Sequence, residues 1–107
     1  MDDKIDLVAR TLAMYEEELF VGSYSENTIR ADLQNRKAMD MYSTMGSSGW
    51  QTNEVEQKKR MYLENFTKDI QIIDTALDYL QPSHEYVSRL IRCKKQVDKL
   101  RDIVRDF

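Results

Sequence analysis

Proline occurs once in this chain of 107 residues, at Pro82, glycine three times, and cysteine, histidine and tryptophan once each. So few breakers exclude a fold of many tight turns and leave a small number of long elements. A lone Cys93 excludes a disulfide framework and a cysteine-based metal knuckle, and points to a reducing, intracellular setting. A lone His84 excludes the zinc pattern HExxH, because Ser88 stands where the second histidine belongs. No apolar run approaches the roughly 18 residues that a membrane span requires. The opening MDDKIDLVAR is acidic where a secretory signal is basic. The expected location is the cytoplasm.

What is present is charge. Asp, Glu, Lys and Arg make up 33% of the chain and mean hydropathy is −0.66, so any core must be narrow. Long amphipathic helices suit that composition, since each needs only one apolar stripe. A net charge of −3 gives no general attraction to nucleic acid or anionic lipid. The charge is uneven, however: residues 1–20 carry six acids and two bases, and residues 83–107 carry seven bases and four acids.

The spacing of apolar residues predicts four helices. The first covers about 2–20, with Ile5, Val8, Leu12, Tyr15 and Leu19 three and four apart, Gly22 as its C-cap and Ser25 as the next N-cap. In the second, about 26–45, Ile29 and Leu33 define one face, while Ala38, Met41, Tyr42 and Met45 drift onto another. A glycine- and serine-rich linker over 46–52 follows. Asn53 and Glu56 resemble a capping box for a third helix to about Leu80, with Tyr62, Phe66, Ile70, Ile73, Leu77 and Leu80 inward. Pro82 stops it, and Ser83 is placed to cap a fourth helix over 84–107. There Leu90, Cys93, Val97, Leu100, Val104 and Phe107 form a heptad seam.

So short a connection between two seam-bearing helices makes an antiparallel hairpin, with His84 at its wet corner. The expected fold is all-α: a small four-helix bundle built on a long C-terminal antiparallel helical hairpin. At 1.5 Å per residue the last two helices span roughly 42 and 36 Å and the first two roughly 28 Å each. Laid side by side, the short pair would leave part of the long hairpin uncovered. A second copy is therefore expected to complete the seam through Leu90, Val97, Leu100, Val104 and Phe107, as a homodimer.

Chemistry is hard to find. No catalytic residue, cofactor or metal site is expected. Ser83 and Ser88 lack a strained elbow, and Cys93 falls on the packed seam. A Mg-dependent nucleotide hydrolase would need Glu17, Asp74 and Asp78 to converge, but consecutive Glu16, Glu17 and Glu18 fan round their helix as solvated runs do. Nucleic-acid binding through Arg92, Lys95 and Lys99 on the basic fourth helix is the alternative function, weakened by interleaved Asp98, Asp102 and Asp106. The leading expectation is a non-enzymatic protein–protein interaction module: an adaptor, inhibitor or accessory subunit. Its partner surface is expected at Met41, Tyr42, Met45 and Trp50, beside Met39, where adaptable methionines meet two aromatics.

Overall fold

The computed structural model of the chain describes residues 3–46 and 53–107. They form four helices, α1 (Asp3–Phe20), α2 (Glu26–Gly46), α3 (Glu54–Asp78) and α4 (Glu85–Asp106), in an all-α bundle. Each starts and stops within two residues of the bounds expected from the sequence. Most of the expected inward residues form the core: Val8, Leu12, Tyr15 and Leu19 from α1, Ile29 and Leu33 from α2, Tyr62, Phe66 and Ile73 from α3, Leu80 just past its end, and the α4 seam from Leu90 to Val104. Ala76 joins them, whereas Ile5, Ile70, Leu77 and Phe107 are only partly buried. Among the described residues no helix is long and apolar enough to cross a membrane.

The arrangement of the rods differs from a side-by-side pairing of α1 with α2. Cross-helix contacts run in one sense along the whole molecule. Lys4 meets Tyr79, Tyr15 meets Asp69, Tyr24 meets Asn65, and Asp32 meets Tyr62, so both α1 and α2 are antiparallel to α3. Glu16 meets Arg89, Glu26 meets Lys99 and Lys37 meets Phe107, so both are parallel to α4. Thus α1 and α2 follow end to end as one interrupted rod beside the α3–α4 hairpin, in a molecule 63 Å long and 21 by 19 Å across. In series they cover the hairpin's full length, which side-by-side packing would not. The seam is closed inside the chain: Leu90, Val97, Leu100 and Val104 have 0% exposure and Phe107 is half-buried.

The interruption at 21–25 has a clear cause. The amide of Gly22 donates to Glu17 O at 2.7 Å, and a methyl group at Gly22 would lie 3.3 Å from both Glu17 O and Glu18 Cα. Glycine is there for this close approach. Ser25 then opens α2, its hydroxyl 2.8 Å from that of Thr28. Tyr24 fills the break, its ring edge-on to Tyr62 and Phe66 with centroids 6.1 Å away.

The interrupted rod also leans. The backbone of α1 approaches α4 more closely than α3, whereas α2 approaches α3 more closely than α4. Crossing the hairpin diagonally opens a groove on each side: between α1 and α3 at one end, and between α2 and α4 at the other.

Two helix starts differ from the expected caps. Asn53 precedes α3 but makes no side-chain cap hydrogen bond; the cap comes from α2, through Asp40. At α4 the cap is His84, whose Nδ1 accepts from the Tyr86 amide at 3.1 Å, rather than Ser83. His84 also lies 4.7 Å, ring to ring, from Tyr86. The single histidine is therefore a structural corner, with its acceptor nitrogen engaged.

Candidate functional site

Past Leu33, α2 contributes no buried side chain as far as Tyr42, the last of its residues with a described side chain. Polar contacts position this half of the helix. Asp32 Oδ2 accepts from the Tyr62 hydroxyl at 2.7 Å, and its other oxygen accepts from Arg36 Nε at 3.1 Å. Arg36 also reaches Glu54 at 2.7 Å, and Lys58 lies 3.9 Å from Asp32. Burial alone would raise the Asp32 carboxyl, but the bonds from Tyr62 and Arg36 prevail and hold it below the ordinary range. Burial and the Asp32 charge together raise the Tyr62 phenol. Tyr62 therefore stays a neutral donor, and α2 is pinned to α3.

Held in this way, α2 presents Met39, Met41 and Tyr42 to solvent, at 55%, 58% and 77% exposure. The expected Met41 and Tyr42 thus share one exposed helix end. Met45 lies in α2, but its side chain and all of Trp50 fall outside the described residues.

The other candidate sets fare differently. Leu90, Val97, Leu100 and Val104 have no surface to offer a second chain, being packed against this chain's own α1, α2 and α3. On α4, Lys99 is paired with Glu26 at 3.2 Å and the Arg92 guanidinium lies 3.9 Å from the centroid of the Phe20 ring, while Lys95 is exposed. Other basic groups of the same helix are also engaged: Arg89 with Glu16, Lys94 with Asp74 at 2.6 Å, and Arg101 with Asp98 at 3.4 Å. Asp74 is thus paired with Lys94, while Glu17 and Asp78 are exposed. Among the described residues no group of three or more His, Cys, Asp or Glu side chains is placed to hold a metal ion. Cys93 is buried, and burial raises its thiol above the ordinary value, so little thiolate is available.

A second surface escapes a reading confined to the core stripe. Along the α1–α3 groove, Leu7, Ile72, Thr75 and Tyr79 are exposed around a floor of Val8, Thr11 and Ala76. Just below the surface the Tyr15 hydroxyl donates to Asp69 at 2.9 Å. Burial lifts the Asp69 carboxyl above its usual range despite that bond, and the Glu18 charge adds to the effect. The signal for this surface was present as seven-residue spacing, 7 to 14 and 72 to 79, on the side of each helix next to its core stripe.

No family model, no curated protein and no solved structure matches the chain.

Proposed function

We propose that this chain is a non-enzymatic protein-interaction module that engages its partner with the solvent-facing end of α2, through Met39, Met41 and Tyr42. The observation that supports this reading is that three large apolar side chains stand exposed on a helix segment held by charge pairs. Methionine adapts to irregular surfaces, and a tyrosine anchor presents a rigid ring with a polar tip. Acidic α1 supplies long-range steering toward a basic partner, as charge does in diffusional encounter. Met45 and Trp50 extend the same proposal along the chain. Nucleic-acid binding through Arg92, Lys95 and Lys99 is the lesser reading, because Lys99 already pairs with Glu26 and Arg92 already covers Phe20.

The test compares the full chain with a Met41→Ser/Tyr42→Ser double variant, both immobilised and exposed to extract of the native host. A protein retained by the first and lost from the second supports the proposal. Equal retention by both overturns it. So does low-salt binding of nucleic acid that collapses steeply as salt is added, because counterion release then identifies a phosphate ligand.

A further inference from the structure

The α1–α3 groove lies toward the other end of the molecule from Met41 and Tyr42, and it has an internal symmetry. On α1 the groove is lined by Leu7, Val8 and Thr11. Helical spacing puts Lys4, Met14 and Glu18 on the same side as Leu7 and Thr11, so that the stripe has offsets of −7, −4, 0, +3 and +7 from Thr11. On α3 the lining residues include Ile72, Thr75 and Tyr79, at offsets of −3, 0 and +4 from Thr75. Both threonines line the same groove. The α1 stripe therefore reads nearly the same in both directions about Thr11, and the α3 stripe about Thr75. Leu7, Met14, Ile72 and Tyr79 are all exposed, at 59%, 48%, 46% and 48%.

We infer that this face receives a second copy of the chain, antiparallel, about a two-fold axis that crosses the groove at Thr11 and Thr75. That operation sets Leu7 opposite the second copy's Met14 and Ile72 opposite its Tyr79, with the reciprocal pairs made at the same time, as an isologous interface requires. It also sets Lys4 at one end against Glu18 at the other, twice over. The register is thus complementary to itself in charge as well as in apolar surface. The small side chains of Thr11, Thr75 and Ala76 let the helices come close at the centre. This dimer uses none of the α4 seam, which is already spent in the core, and it leaves the exposed end of α2 free. Its failure and the failure of the α2 proposal are therefore separate results.

Sedimentation velocity of the full chain over a concentration series is expected to show a monomer–dimer equilibrium. Leu7→Lys and Ile72→Lys should each weaken it more than tenfold. Both positions are largely outside the core, and an unchanged thermal midpoint at low concentration checks that the fold survives. Lys4→Glu and Glu18→Lys should each weaken association, and combining them should restore it. Oxidised Thr11→Cys should give a covalent dimer, since a residue on the axis meets its own copy; Cys93 is buried and can stay. A wild type that remains monomeric throughout, or a dimer indifferent to Leu7→Lys and Ile72→Lys, overturns the proposal. A dimer sensitive to those changes but without the Thr11→Cys cross-link or the charge rescue overturns the antiparallel register.

Discussion

Asp40 on α2 caps the helix that begins at Glu54: its Oδ1 accepts the Glu54 amide at 2.8 Å and its Oδ2 accepts the Val55 amide at 3.1 Å. A carboxylate at a helix N-terminus satisfies orphan donors and meets the positive end of the helix dipole. Asp40→Ala should therefore cost about 1 kcal/mol, the usual loss of an N-cap. Asn53→Ala, at the neighbouring position in sequence, should change little, because the Asn53 side chain makes no cap bond. Urea unfolding of the two variants separates a cap supplied by another helix from a local one.

His84→Ala should likewise cost about 1 kcal/mol, while Ser83→Ala should be close to neutral. His84→Asn restores an acceptor at the cap and should recover most of the loss. If Ser83→Ala proved the costlier change in urea titrations, the cap assignment would be wrong.

Asp69 should make the protein less stable as pH rises. Its folded-state carboxyl is raised, so between the unfolded and folded values the native state holds more protons than the unfolded one. Stability is then fullest below the unfolded value and declines as pH passes the folded one. Asp69→Asn keeps an acceptor for the Tyr15 hydroxyl without the buried charge. It should raise the thermal midpoint at neutral pH, with the gain vanishing in acid below the ordinary aspartate range.

Asp32 carries the opposite sign. Its lowered carboxyl contributes stability above the unfolded value, which is lost as pH falls through the folded one. Asp32→Asn should destabilise at neutral pH and converge on the wild type in strong acid. Tyr62→Phe, which removes the hydroxyl that donates to Asp32, should cost about 1.5–3 kcal/mol, the range for a bond to a charged group. Thermal scans of these variants and of Asp69→Asn across pH should give curves that diverge in opposite directions from the wild type.

The helices and the inward faces were legible because they depend on local spacing. Leu12 and Leu19, or Val97 and Val104, repeat at seven residues whatever lies opposite them. The end-to-end run of α1 and α2 was not legible in the same way. Gly22 and Ser25 announce a break, but the angle across it depends on Tyr24 docking against Tyr62 and Phe66, residues some forty positions away. The same holds for Asp40, an unremarkable acid in its own helix, which acquires a role only when α3 begins beside it. The exposed Met41 and Tyr42 were visible as residues off the Ile29–Leu33 face. The Leu7 and Ile72 surface was not singled out, because an apolar residue beside a core stripe looks like part of it until the lean of the rod opens the groove.

A molecule three times longer than it is wide has an interior only one side chain deep at every level. Few side chains are shared between the layer at Tyr79 and the layer at Asp32, so strain has no broad core through which to spread. Substitutions at the two ends should therefore sum, deviating from additivity by no more than about 0.5 kcal/mol, as distant sites usually do. Hydrogen exchange should divide the rod near Tyr24 into an end that opens early and an end that opens late.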